Sequence, residues 1–168
     1  MGWREVLGAA LIMLPLTAQA QTEAPPDAKA YIISPRPGER VKSPVTVRFG
    51  LRGMGVTHAG DTAKNMGHHH LLVDVTAPLD PTEPIPTGRK HLHFGTGQTE
   101  TELSLEPGKH TVQLVLGDAE HKLFKPNVIS EPVSFMVVGE NETTVQKPAI
   151  RKHRTRRRKG IRRDRPAR

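Results

Sequence analysis

After the first thirty residues the chain settles into short runs that alternate between apolar and polar positions. Tyr31-Ile32-Ile33 is a β-branched and aromatic run, closed by Pro35-Arg36-Pro37-Gly38, which is turn chemistry. Val45, Val47, Phe49 and Leu51 alternate with Thr46, Arg48 and Gly50, the period of two that marks a strand with one face buried. The same period runs through His68–Val75, where Leu71, Val73 and Val75 define the core side. It recurs in His91–Phe94, Gln98–Leu105, His110–Leu116 and Val133–Val137. Between these runs lie a glycine-rich stretch over 52–67, a loop over 117–127 and the segment TAPLDPTEPIPTGRK. The four prolines of that last segment forbid a helix or a central strand, so it is expected to be a long, stiff loop. No window after residue 20 carries helical periodicity. Six or seven short strands within about 110 residues predict an all-β domain, an immunoglobulin-like antiparallel β-sandwich of about seven strands over residues 30–139. A small barrel is the alternative, and no internal repeat is visible.

The flanks differ from this middle. Arg4 precedes an apolar run from Val6 to Leu16, and Ala18-Gln19-Ala20 supplies small residues for cleavage before Gln21. Residues 1–20 thus have the form of a secretory signal, and the run is short of the ~20 residues that span a bilayer. A retained membrane anchor is the competing interpretation. The expected location is the periplasm or outside a bacterial cell. Residues 21–29 are polar and proline-rich, and are expected to form a linker.

Charge divides the chain as sharply as hydropathy does. Residues 147–168 hold 12 Lys and Arg against the single acid Asp164, whereas residues 21–146 carry 12 basic and 15 acidic side chains. The overall net charge of +8 therefore belongs to the tail and says little about the folded part. The tail over 140–168, with RKHRTRRRKG and no apolar period, is expected to be disordered. Its guanidinium groups suit anionic envelope polymers or lipid head groups through residues 151–168. Nucleic acid is an unlikely partner for an exported chain.

Histidine and cysteine usage narrows the chemistry. There is no cysteine, so disulfides, thiolate ligands, a Cys nucleophile and a lipid-modified N-terminal Cys are all excluded. Of nine histidines, eight lie in the folded region, and five fall in His68-His69-His70 and His91-x-His93. In a strand, residues i and i+2 share a face about 6.5–7 Å apart. His68 and His70 therefore share the side away from Leu71 and Val73, and His91 and His93 share the side away from Leu92 and Phe94. If the two strands are neighbours, four imidazoles converge, and His69 points inward. Neutral imidazole is a common ligand, so His68, His70, His91 and His93 are the expected ligands of a transition metal, copper or zinc. Additional candidates are His69, His110, His121, Met54 and Met66; thioether sulfur would favour copper, and carboxylate would favour zinc. The competing explanation is that the rings bond to loop carbonyls and pin the proline-rich connection. His110 is expected to be a buried structural histidine, and His58 is uninformative.

No catalytic constellation emerges. Gly95-Thr96-Gly97 lacks the Lys-Ser/Thr of a phosphate loop and is expected to permit a bend. No G-x-S-x-G elbow occurs. Glu100 and Glu102 share a strand face, where exposed acids are ordinary. The chain is expected to be non-enzymatic. The alternative function is a structural or interaction module of the cell envelope.

Several longer motifs point to a family. Ile33-Ser34-Pro35, Val41-x-Ser43-Pro44-Val45, Phe49-Gly50-Leu51-x-Gly53-Met54-Gly55-Val56 and Gly67-His68-His69-His70-Leu71-Leu72-Val73-Asp74 are four of them. Pro84-Ile85-Pro86, His91-Leu92-His93-Phe94-Gly95-x-Gly97-Gln98-Thr99-Glu100-Thr101-Glu102-Leu103 and Pro107-Gly108-Lys109-His110-Thr111 complete the set. Across residues 30–138 the chain resembles a bacterial family known as domain of unknown function 4399. The resemblance implies an exported domain of the same architecture and supplies no activity. Members tend to carry two histidines soon after Leu114-x-Leu116-Gly117-Asp118. Here His121 fits the first, and Phe124 stands where the second would be, which implies a poorer site if that histidine is a ligand in relatives.

Overall fold

A computed structural model describes residues 21–139; the expected export signal over 1–20 and the basic tail over 140–168 lie outside the described residues. The described chain is all-β, with nine strands in two sheets and no helix. The strands are β1 (Lys29–Ser34), β2 (Arg40–Lys42), β3 (Val45–Arg52), β4 (Gly55–Val56), β5 (Met66–Val73), β6 (His91–Phe94), β7 (Glu100–Leu103), β8 (Gly108–Gly117) and β9 (Val133–Val138). One sheet has the order β1-β3-β7; the other runs β2-β9-β8-β5-β4, with β6 also paired to β5.

The six segments with visible alternation and the Tyr31-Ile32-Ile33 run all form strands. The two additional strands are only three and two residues long, too short for a period of two to show. Both pair in parallel, β2 with β9 and β4 with β5, which departs from the purely antiparallel arrangement expected. Their partners are strands already placed in a sheet, whose free edges offer hydrogen-bonding groups to any nearby extended segment.

The main core lies between the sheets. Val45, Val47, Phe49 and Leu103 from the first sheet meet Leu71, Val112, Leu114, Leu116, Phe135 and Val137 from the second. These are the inward positions of each alternation, so burial follows directly from the sequence period. One expected core position moves. Asp74 adopts a left-handed backbone, φ 52°, which ends β5 and turns Val75 to the other side of the sheet. There Val75 joins a second, smaller core formed by Leu72, Ile85, Val115 and Leu123. This second core arises because the proline-rich loop and the 117–127 loop fold over the larger sheet. The Ile85 amide donates to the His121 carbonyl at 2.7 Å and ties the two loops together.

Candidate metal centre

Strand β5 carries its histidines on both faces, and both faces are covered. His69 points into the main core, edge-on to Phe49 with ring centroids 5.3 Å apart. His68 and His70 point to the opposite side, as their spacing predicts. They do not form part of a histidine-rich surface, because the two loops bury them to 1% and 0% exposure.

Register decides which imidazoles meet. His70 lies opposite His93, and Leu72 lies opposite His91. His93 therefore faces His70 directly, while His91 sits one pleat further from His68, beside the second core. A convergence of all four expected rings needs the strands shifted by two residues. The position that this register places across from His68 is Gly95, and its lack of a side chain makes room. A Cβ there would lie 2.5 Å from His93 Cε1. On the other edge of β5, Gly117 of β8 pairs with His68. A Cβ at Gly117 would lie 2.9 Å from His70 Nε2. Two close backbone approaches thus frame the imidazoles.

The fourth ring comes from a loop. His121 packs edge-on against His68 and His70 and tilted against His93, at centroid distances of 4.9, 5.8 and 4.8 Å. The other three pairings are 4.9 Å for His68–His70 and 5.0 Å for both His68–His93 and His70–His93. All six pairs of the four rings are in contact. Ligand atoms of His68, His70 and His93 lie within 4.8 Å of one another; neither His91 nor His121 is in that group, and His121 joins it through ring contact alone. The sequence singled out His121 only as a possible addition. Its signal was the segment Leu116-Gly117-Asp118, where the loop leaves the sheet beside His68. Phe124 belongs to the main core, so its side chain faces away from the four rings.

The remaining candidates fall elsewhere. Met54 packs against the main core. Met66 shares the outward face of β5 with His68 but leans across Gly55. His110 is half-buried, and both its nitrogens are engaged: Nδ1 lies 2.8 Å from Asp74 Oδ2 and Nε2 2.9 Å from the Glu106 carbonyl. His58 Nδ1 lies 2.9 Å from the Ala59 carbonyl. Glu100 is exposed and ion-paired with Arg48 at 3.0 Å.

The electrostatics of the cluster favour neutral rings. Burial first, then the neighbouring His121 and His93, pull His68 down to about 4. Burial and the surrounding imidazoles bring His70 to about 3. His69 falls to about 4 through burial alone, and His93 is lowered by burial and by His121. A neutral imidazole carries one N–H and one lone pair, so each ring has a nitrogen fit for a metal. His68 Nε2 and His70 Nε2 face each other at 3.1 Å. Two nitrogens on one tetrahedral zinc, each ~2.0–2.1 Å from the ion, are roughly 3.3 Å apart. His93 Nε2 is buried without a hydrogen-bond partner, and so are His68 Nδ1 and His70 Nδ1 on the other side of their rings from the facing Nε2 pair. Leaving a polar group in that state costs about 1–3 kcal/mol. Loop carbonyls therefore do not hold this cluster, and a shared cation fits the donors present.

These features define an all-β domain with a buried polyhistidine centre. The chain belongs to the family described as domain of unknown function 4399, whose match covers residues 47–138. No curated protein and no solved structure matches the chain.

Proposed function

We propose that this protein is an exported, non-catalytic β-sandwich of immunoglobulin-like form that binds one transition-metal ion, copper or zinc, in the bacterial periplasm. His68, His70 and His93 are the ligands from the sheet, and His121 is the fourth. The observation that carries this reading is the group of buried ligand atoms within 4.8 Å of one another, several of whose ring nitrogens have no protein partner. An all-nitrogen neutral donor set suits copper and zinc and disfavours magnesium or calcium, which seek oxygen. Export is supported by the form of residues 1–20.

The test is titration of the purified full chain with Zn(II), Cu(II) and, under reducing conditions, Cu(I). One ion per chain is expected, with affinity lost by more than about a hundredfold in the His68→Ala/His70→Ala variant, since even partners outside the ligand set are worth 10–100-fold. Equal and weak binding by both proteins refutes the reading.

The charge of the tail favours a second role beside the first, tethering to anionic envelope polymers. Deleting residues 147–168 is expected to abolish a salt-sensitive association with envelope fractions.

A further inference from the structure

The His121 loop is built more tightly than a surface turn requires. His121 has a left-handed backbone with φ 65°, a region that non-glycine residues occupy at a cost and that is enriched at ligand sites. Asp118, only 5% exposed, holds the loop in this shape. Its Oδ1 accepts the amides of Glu120 and Lys122, each at 2.9 Å. The Asp118 amide donates to the Lys122 carbonyl, and the His121 amide donates to the Asp118 carbonyl.

The other oxygen of Asp118 is reached from the start of the described chain. Thr22 Oγ1 donates to Asp118 Oδ2 at 2.7 Å. Around this bond, residues 21–24 lie along 123–125 as a strap. The Lys125 amide donates to the Thr22 carbonyl, the Ala24 amide donates to the Lys125 carbonyl, and the Gln21 side chain donates to the Leu123 carbonyl. The segment expected to be a linker is thus hydrogen-bonded across the base of the loop that carries His121. Thr22, Asp118 and Met66 also share the wall of a ≈200 Å3 cavity beside the outward face of β5.

We propose that this strap, through Thr22 and Asp118, positions His121 as the fourth ligand and so sets the affinity and geometry of the metal centre. The proposal rests on the metal-binding reading above. His68, His70 and His93 are fixed by sheet register, so they are in place without help. His121 is held by loop bonds, and Asp118 is the hub of those bonds. Both oxygens of Asp118 are engaged by these donors, so it acts through His121 and is a positioning residue. Thr22 orients the hub: with the hydroxyl gone, Asp118 Oδ2 is free to turn and the loop loses its fixed register over the triad.

The test uses the full chain with Co(II), whose visible absorption reports ligand number, and with Zn(II) in competition for affinity. Thr22→Val removes the donor and keeps the shape; Thr22→Ser restores the donor. Thr22→Val is expected to weaken Zn(II) binding about tenfold, as loss of a partner outside the ligand set does. It should also shift the Co(II) spectrum in the direction that His121→Ala shifts it. Combining Thr22→Val with His121→Ala should cost little beyond His121→Ala alone, because both remove the same contribution. Thr22→Ser should match the unsubstituted chain. Asp118→Ala provides a second variant, since it removes the acceptors of both Thr22 Oγ1 and the Glu120 and Lys122 amides. The proposal is overturned if Thr22→Val and Asp118→Ala bind and absorb like the unsubstituted chain, or if the Thr22→Val loss adds in full to that of His121→Ala. Those results leave the metal reading intact as long as His68→Ala still abolishes binding. If the unsubstituted chain and His68→Ala bind equally poorly, the reading beneath falls, and the strap proposal with it.

Discussion

Two histidine environments lie on one sheet and are built on opposite plans. At His110 every ring nitrogen has a protein partner, and the partner of Nδ1 is a carboxylate. Burial pulls the His110 pKa down, but the bonds from Asp74 and the Glu106 carbonyl outweigh it, and the net shift is upward. Desolvation likewise pushes the Asp74 carboxyl up, and bonds from the Thr111 amide and His110 carry it below its usual value. At His68, His70 and His93 no carboxylate bonds to a ring, and several nitrogens are unpartnered in a buried space. There burial dominates and the pKa values fall. A histidine that staples two strands is satisfied by the protein itself. A histidine of the buried cluster is kept neutral and left short of partners.

The sharpest way to divide the two is acid. His68, His69 and His70 have folded pKa values of about 3–4, below the unfolded value of about 6.5. The unfolded chain therefore takes up protons first, and stability should fall as pH drops from about 6.5 towards 4. The sign reverses for His110, whose stabilising contribution is present below about pH 6.5 and is lost as pH rises through its raised folded pKa. Urea unfolding of the metal-free full chain between pH 4 and 8 should show a large loss on the acid side. Substituting His110 should leave that loss in place. A chain equally stable at pH 4.5 and 7 contradicts the account of the buried rings.

A smaller effect tests the staple. Asp74→Asn keeps an acceptor for the Thr111 amide and removes the charge facing His110. It should cost roughly 1.5–3 kcal/mol at pH 6, as charge-assisted hydrogen bonds do, and less at pH 8. Metal affinity should not change. A tenfold loss of Zn(II) binding in Asp74→Asn would erase the distinction between the two environments.

The smallest expected effect probes the frame of the cluster. Gly117→Ala places a methyl group 2.9 Å from His70 Nε2. Overpacking of this kind costs about 1–3 kcal/mol, and thermal unfolding should place this variant at the lower end of that range. Metal binding should weaken as well, because the displaced atom belongs to one of the proposed ligands. Unchanged melting and unchanged binding would mean that the backbone there yields freely.

Much of this molecule can be read without coordinates. Val45, Val47 and Phe49 announce their strand by alternation, as do Val112, Leu114 and Leu116, and each faces the main core. The shared face of His68 and His70, and the inward turn of His69, follow from the pleat. The short β2 and β4 leave no such trace. Nor does the second core, because Leu72 and Val115 occupy positions that alternation assigns to solvent and Ile85 lies in the proline-rich loop. They are buried by loops whose paths depend on contacts such as the Ile85–His121 bond.

His91 and His121 mark the boundary most clearly. Residue spacing along a strand is local geometry, so the HxH pairs were visible in the chain itself, together with the all-β class and the absence of thiolate ligands. Which HxH residue meets the other strand depends on register, and register is set by long-range pairing that no single segment encodes. The exchange of His91 for a loop histidine, and the burial of the whole group, were therefore decided only when the two sheets and the loops above them packed together.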